Sequence, residues 1–195
     1  SASDVPASHI KPRAPMPEGA TTLPARFSTG RGIFERELDL FFRSTWVLAG
    51  RAEEVPRKGD YVLRDIAGDS LIVTRTGDAD DSVRAYYNTC RHRGTRLCTE
   101  AHGHFAGAIQ CPYHSWTYDL SGRLIGAPHM DGTAGFDKAN IRLNAVATEV
   151  WEGFVFVNLM EDPDPLADHL AALPAKFAPW EMGRLRRGHR IVYDI

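Results

Sequence analysis

The sequence predicts a mainly β fold: an antiparallel β-sandwich with a two-loop insert, a leading helix and a short C-terminal helix. Three observations support this prediction. From Trp46 onward, short runs of β-branched and aromatic residues follow one another, turns containing Gly and Asp separate these runs, and no long helical pattern lies between them. Strands spaced this closely pair as antiparallel hairpins, in a sandwich or a small barrel.

Six segments share the strand pattern. They are Trp46–Ala49, Tyr61–Arg64, Leu71–Thr74, Val83–Tyr87, Ala145–Val150 and Phe154–Leu159. A turn at Trp151–Gly153 joins the last two, and another turn at Ser121–Leu124 follows the insert. The final run, Arg190–Ile195, predicts the beginning of one more strand.

The leading helix is predicted over residues 33–44. No Gly or Pro interrupts this segment, and its apolar residues recur at helical spacing. The apolar positions are Phe34, Leu38, Phe41 and Phe42. We expect this stripe to pack into the core.

The predicted domain boundaries follow changes in composition. Residues 1–30 are expected to form an extended arm, because five of the twelve prolines lie in the first 24 residues. Residues 31–162 are expected to form the main domain. Residues 163–195 are expected to form a linker and the beginning of a catalytic domain, with a short helix over Leu166–Leu173 that ends at Pro174.

Composition and charge exclude several function classes. The chain has 25 acidic and 23 basic residues, so its net charge of −2 gives no electrostatic reason to expect a nucleic acid or an anionic membrane as partner. The longest apolar stretch, Phe154–Met160, is far shorter than the ~20 residues of a membrane span. The first thirty residues lack a signal-peptide core, and three cysteines make no disulfide framework. We therefore expect a cytoplasmic protein.

Two short motifs carry the chemistry: Cys90-Arg91-His92 and Cys111-Pro112-Tyr113-His114. Each motif offers one thiolate and one imidazole on a tight loop. Zinc would take all four ligands in one tetrahedron, but zinc sites usually pair Cys with Cys and His with His. If the two loops face each other, both cysteines lie on one side and both histidines on the other. That arrangement suits a two-iron cluster in which cysteines hold one iron and histidines the other, as in a Rieske [2Fe-2S] centre.

The ligand set determines the charge of such a centre. Two ferric ions, two bridging sulfides and two thiolates sum to zero if the histidines are neutral. A cluster bound by four cysteines would carry a charge of −2. Adding an electron to a neutral centre costs less than adding one to that anion, so the reduction potential is higher, at about −150 to +300 mV.

The stretch Cys90–Cys98, together with Cys111–Tyr118, resembles the Rieske domain of a Rieske non-haem iron oxygenase, and more narrowly the α (oxygenase) subunit of the ring-hydroxylating type. The segments 42–46, 58–61 and 151–158 are also similar to that family, so the resemblance covers about residues 30–160. It implies a [2Fe-2S] cluster bound by four side chains, which are those of Cys90, His92, Cys111 and His114.

The resemblance also implies a function. The chain would be the electron-transfer part of an oxygenase that uses O2 and NAD(P)H-derived electrons to hydroxylate, dihydroxylate or N/O-dealkylate a small aromatic compound or quaternary amine. A mononuclear Fe(II) would lie in a catalytic domain outside this segment, a reductase or ferredoxin would donate electrons, and the full subunit would be a homotrimer. Residues 118–128 resemble members that act on betaines. The alternative is a stand-alone Rieske ferredoxin, although such carriers lack the leading helix and the tail.

Residues around the motifs suggest supporting roles. We expect Gly94 to permit close approach of the backbone to the cluster, and Tyr113 to shield the centre or to donate a hydrogen bond to a sulfur. Trp116 either shields the centre or simply packs. Cys98 is expected to be a small buried hydrophobic residue.

Charged residues near the motifs have two interpretations. Arg91, Arg93 and Arg96 either dock an acidic electron donor or neighbouring subunit, or form a solvated loop. His102 and His104 are expected to be exposed loop residues without a metal.

Overall fold

The structure is a computed structural model that describes residue 15 and residues 18–79, 82–130, 132–189 and 191–193. Its contacts divide the chain into two units, Ser1–Glu35 and Arg36–Ile195. In the first unit, α1 spans Arg26–Thr29, so a helix interrupts the predicted extended arm. The rest of that prediction falls largely on residues 1–14, 16 and 17, which lie outside the described residues.

The leading helix is present but changes its period. Helix α2 spans Arg31–Glu37 and continues as a π-helix over Leu38–Phe42, where Arg43 N donates to Leu38 O at 2.9 Å. The predicted core packing of the stripe is wrong for Phe41 and Phe42, which are 58% and 44% exposed. The stripe assumes 3.6 residues per turn throughout, and the wider π turn ends that period after Leu38.

In the part of the chain that the structure describes, ten strands form two antiparallel sheets, which confirms the mainly β, antiparallel fold. The large sheet has the order β1-β10-β9-β4-β3-β2-β5, and the small sheet has the order β6-β7-β8. The strands of the large sheet are β1 Val47–Arg51, β2 Asp60–Ile66, β3 Asp69–Arg75, β4 Val83–Tyr87, β5 His102–His104, β9 Ala145–Trp151 and β10 Phe154–Asn158. Those of the small sheet are β6 Ala108–Gln110, β7 Thr117–Asp119 and β8 Leu124–Gly126.

Strand β3 separates two hydrophobic clusters. Successive side chains of a strand point to opposite faces, so Leu71 and Val73 join one cluster while Ile72 joins the other. The cluster on the Ile72 side also contains Cys90 and Cys111. The sheet therefore supports the two sequence motifs on one of its faces.

The C-terminal segment differs from its prediction in two places. Helix α3 spans Leu166–Leu170, and a further helix, α4, spans Leu173–Phe177 with Pro174 in its first turn. Proline is tolerated there because a first-turn N–H has no helical partner, so Pro174 begins a helix instead of ending one. Trp46 anchors α3 by donating its indole N–H to Asp164 O at 2.9 Å.

The predicted strand at Arg190–Ile195 is wrong where the structure describes it. Ile191, Val192 and Tyr193 have no regular structure and are strongly exposed. Arg190, Asp194 and Ile195 lie outside the described residues. A strand is stabilised by its ladder of hydrogen bonds, and no described strand pairs with this run.

In the described part of the chain, none of the helices has the length and apolar character that a bilayer crossing requires.

The edge strand β5 contains two histidines that the sequence suggests are loop residues. Both are exposed, as expected, but they pair with β2, and His104 Nδ1 lies 2.8 Å from Asp60 Oδ1. The Asp60 carboxylate also accepts from the backbone N–H and the side chain of Arg57. Burial raises the pKa of Asp60, but these hydrogen bonds outweigh it and hold the pKa below its ordinary value of 3.8.

We expect Asp60→Asn to lower the free energy of unfolding at about pH 6 by about 1 to 2 kcal/mol, because charge-assisted hydrogen bonds are lost. A depressed pKa contributes stability above the unfolded-state pKa, and that contribution disappears as the pH falls through the folded-state pKa. The difference between the proteins should therefore shrink by about pH 3 in urea denaturation. Asp65→Asn, at an exposed residue of the same strand, is the control. A deficit of equal size at both pH values would contradict this prediction.

Candidate metal centre

The first motif forms a tight loop closed at both ends by backbone hydrogen bonds. Cys90 N donates to Thr95 O at 2.8 Å, and Gly94 N donates to Cys90 O at 3.0 Å. Gly94 has a φ of 71° in the left-handed region, which favours glycine. A Cβ at Gly94 would meet no protein atom within 4 Å, so among the described residues it is the turn that calls for glycine, and the close approach to a cluster stays a prediction.

The second motif has the same backbone frame. Cys111 N donates to Trp116 O at 2.8 Å, and Ser115 N donates to Cys111 O at 3.1 Å. Ser115 occupies the left-handed position with a φ of 57°. The loops are therefore conformational copies, and each presents its histidine between the two closing hydrogen bonds.

The two thiols lie in the core. Cys90 and Cys111 are each 2% exposed, and neither forms a disulfide. Burial raises the pKa of the Cys90 thiol, and the neighbouring Cys111 raises it further, against hydrogen bonds from Tyr118 and the His92 backbone N–H. A raised pKa means that the buried thiolate costs free energy. A bound cation removes this cost, because coordination stabilises the thiolate. The thiol pair is thus suited to a metal ion.

The two imidazoles lie together, partly exposed. The ring centroids of His92 and His114 are 4.7 Å apart with an edge contact. Trp116 stacks on His92 at 4.7 Å with an angle of 10° between the rings, and Tyr113 lies 3.7 Å from His114. Trp116 is also buried, so it both packs in the core and covers one face of an imidazole.

One orphaned atom tests whether these residues fit a metal. His114 Nδ1 is buried and has no hydrogen-bond partner among the described residues. A buried polar atom without a partner costs about 1 to 3 kcal/mol, and native structures rarely leave one unexplained. A metal ion would give this nitrogen its partner. Two buried thiols and two adjacent imidazoles can therefore hold two iron ions, one per pair.

Tyr118, in β7, contacts the first motif, although the sequence did not indicate this role. Its hydroxyl lies 3.3 Å from Cys90 Sγ, and the backbone N–H of Arg91 donates to the same hydroxyl oxygen at 3.1 Å. Because the oxygen accepts from Arg91, the hydroxyl proton is available to the sulfur. Tyr113, for which the sequence suggests a shielding role or a hydrogen bond to a sulfur, is 60% exposed and lies against His114. The available signal was that a buried tyrosine hydroxyl needs a partner.

Asn88 was also missed, and it fixes the chain that follows the first loop. Its side-chain oxygen accepts from Leu97 N and Cys98 N at 3.0 and 2.9 Å, and its amide donates to Cys98 O at 2.7 Å. Cys98 is buried as expected, and burial raises its pKa to about 11. It therefore behaves as a small apolar side chain.

Comparison with known proteins identifies the domain. A family model of the Rieske [2Fe-2S] domain matches residues 45–141. The chain is 37% identical over 160 residues to the carnitine monooxygenase oxygenase subunit of Escherichia coli (strain K12), covering 82% of this chain and 42% of that protein. It is 39% identical over 169 residues to the glycine betaine monooxygenase oxygenase subunit of Chromohalobacter salexigens, covering 87% of this chain and 37% of that protein.

A solved structure shares the fold. A crystal structure of a quaternary ammonium Rieske monooxygenase bound to an inhibitor superposes with a TM-score of 0.78 at 31% identity, covering 87% of this chain and 47% of that chain. The chain spans about two fifths of the length of the curated relatives it matches. It contains a Rieske [2Fe-2S] domain of the kind found in the oxygenase subunits of Rieske non-haem iron oxygenases.

Proposed function

We propose that this chain is the electron-transfer part of a Rieske oxygenase subunit. In this proposal Cys90 and Cys111 hold one iron of the cluster, and His92 and His114 hold the other. The observation that carries the assignment is the buried Nδ1 of His114, which has no partner among the described residues and lies beside the ring of His92. The loop of His114 also has the same backbone hydrogen bonds as the loop of the first motif. When bound, the cluster supplies a site that accepts one electron and passes it on.

The protein residues give the two sides of the centre different environments. The buried thiols and Tyr118 keep water from the sulfur side and supply a hydrogen bond there. The imidazoles are partly exposed between Trp116 and Tyr113. Electrons therefore enter and leave most directly at the histidine edge, since a partner can approach it.

We further propose the setting in which this domain works. A cytoplasmic homotrimer of full subunits receives electrons from an NAD(P)H-dependent reductase or a ferredoxin, and O2 is activated at a mononuclear iron held by a catalytic domain. Residues 31–162 would form the Rieske domain, and residues 163–195 the linker and the beginning of the catalytic domain. Among the described residues, no three His, Cys, Asp or Glu side chains converge on a single metal ion, and the proposed cluster uses two protein ligands per iron.

The substrate we propose is a quaternary amine. Carnitine and glycine betaine monooxygenase subunits are among the relatives, and the similar structure is a quaternary ammonium monooxygenase. A stand-alone ferredoxin is less well supported, because the matches to oxygenase subunits cover 82% and 87% of the chain and so extend beyond residues 45–141.

The test uses the iron-reconstituted chain and the full subunit side by side with a cognate reductase. With NAD(P)H under nitrogen, the visible absorbance of the chain should bleach by one electron per cluster, and no product should form after O2 and L-carnitine or glycine betaine are added. The full subunit should consume NAD(P)H only when one of these amines is present. The proposal fails if the cluster is reduced by dithionite but not by the reductase, and a response to naphthalene alone would overturn the substrate class.

A further inference from the structure

We propose that Trp116 is a positioning residue: its indole fixes the plane of the His92 imidazole and so makes the two histidines of the centre inequivalent. The inference rests on the proposed function, because it concerns the ligands of the same cluster. It assigns to one aromatic side chain the task that a hydrogen bond usually performs at a metal site.

The first observation is what the His92 ring lacks. A histidine that binds a metal through one ring nitrogen almost always donates a hydrogen bond from the other, and that bond fixes the orientation of the ring. Neither ring nitrogen of His92 has a hydrogen-bond partner among the described residues. In the described part of the chain, no hydrogen bond therefore stops this imidazole from rotating about its Cβ–Cγ bond.

The second observation is the ring that takes the place of that bond. The indole of Trp116 lies nearly parallel to the imidazole of His92, with the ring centroids 4.7 Å apart and an angle of 10° between the planes. Offset stacking at this separation is attractive, and it depends on the relative orientation of the two rings. The contact thus opposes rotation of the imidazole.

Trp116 is itself held in place from several sides. It is buried in the hydrophobic cluster that contains Cys90 and Cys111, and the ring of Phe136 packs 5.8 Å from its own. Its backbone carbonyl accepts from Cys111 N at 2.8 Å, which is the hydrogen bond that closes the second loop. A residue of the second loop therefore orients the histidine of the first loop.

His114 has no equivalent support. In the first loop, the carbonyl that closes the loop belongs to Thr95, whose side chain has no ring. The ring that lies against His114 is that of Tyr113, which is inclined by 34° and is 60% exposed. An exposed side chain keeps more rotamer freedom than a buried one, so His114 should vary more in orientation than His92.

The experiment is orientation-selected pulsed EPR of the reconstituted, dithionite-reduced chain with isotopically labelled histidine nitrogen. It measures how widely the hyperfine coupling of each imidazole is distributed, since that coupling depends on the orientation of the ring. In the unsubstituted protein, the coupling that disappears in His92→Cys should be the narrower one, and the coupling that disappears in His114→Cys the broader one.

Three variants test the aromatic rings directly. Trp116→Leu keeps an apolar side chain without a ring, Trp116→Phe restores a ring, and Tyr113→Leu is the matched control that removes the ring against the other histidine. Trp116→Leu should broaden the coupling of His92 alone, and Trp116→Phe should return most of its sharpness. Tyr113→Leu should act only on the coupling of His114. Iron should pass to a chelator about two- to tenfold faster from Trp116→Leu than from Trp116→Phe.

Two results would overturn the positioning role. One is equal broadening of both couplings in Trp116→Leu, since a general loosening of the core acts on both histidines. The other is equal width of the two couplings in the unsubstituted protein, a comparison that decides the question even where Trp116→Leu does not fold.

Failure of the proposed function would look different. If the unsubstituted protein gives no [2Fe-2S] signal coupled to histidine nitrogen, the proposed function fails together with the positioning role. If that signal is present and the coupling of His92 does not respond to Trp116→Leu, the positioning role fails alone.

Discussion

Cys111→Ser is expected to abolish assembly of the [2Fe-2S] cluster, whereas Cys98→Ser is expected to keep it. Both thiols are buried in the same hydrophobic cluster, so the substitutions impose a similar polar change on the core. Only Cys111 lies on a loop that matches the loop of Cys90 and carries its own histidine. Serine is a poor ligand for an iron–sulfur cluster, because such clusters need thiolates.

The measurement is the iron and sulfide content of the purified variants after anaerobic reconstitution, together with their visible absorbance. The Cys98→Ser protein serves as the control for a general loss of folding. Iron retained at the unsubstituted level in Cys111→Ser, or lost equally in both variants, would contradict the ligand assignment.

Tyr118→Phe is expected to lower the reduction potential of the centre while leaving the cluster assembled. The Tyr118 hydroxyl lies 3.3 Å from Cys90 Sγ, and its oxygen accepts from Arg91 N. A cluster-bound thiolate has no proton, so the hydroxyl is the donor to the sulfur. Such a hydrogen bond stabilises the reduced, more negative centre more than the oxidised one. A difference of roughly 1 kcal/mol between the two states corresponds to roughly 40 mV for one electron.

The control is Tyr86→Phe. Tyr86 is also buried beneath the centre, and burial raises its pKa to about 12, but its hydroxyl donates to Leu120 O at 3.0 Å and not to a sulfur. Spectroelectrochemical titration should show a lower potential for Tyr118→Phe and an unchanged one for Tyr86→Phe. An equal potential in all three proteins would show that the hydroxyl does not act on the cluster.

The larger part of the sheet could be predicted because strands of five or more residues carry a visible pattern. β2 and β3 are such strands, and the turn between them is marked by Gly68 and Asp69. The strands β5 to β8 have three residues each, too few to show alternation. Strands β5 to β7 lie in the insert, residues 88–119, whose sequence is poor in strand pattern, and β8 follows the predicted turn at Ser121–Leu124. The leading helix was predicted, but nothing local in the sequence signals its change to a π turn.

The proposed ligands could be found from sequence because their chemistry depends on residue type and spacing within short loops. Their supporting contacts depend on tertiary pairing. Tyr118 reaches Cys90 across 28 residues, and no local pattern specifies that contact. His104 reaches Asp60 across 44 residues through the pairing of β5 with β2. Tyr113 was the nearer candidate in sequence, but the second loop turns its ring toward His114.

The most direct test of the central claim is pulsed EPR of the dithionite-reduced, reconstituted chain, read for hyperfine coupling to histidine nitrogen. We predict a [2Fe-2S] signal coupled to two imidazole nitrogens, with one coupling lost in His92→Cys and the other in His114→Cys. A colourless protein that holds stoichiometric zinc, or a cluster signal with no nitrogen coupling, would contradict the proposal that two cysteines hold one iron and two histidines the other.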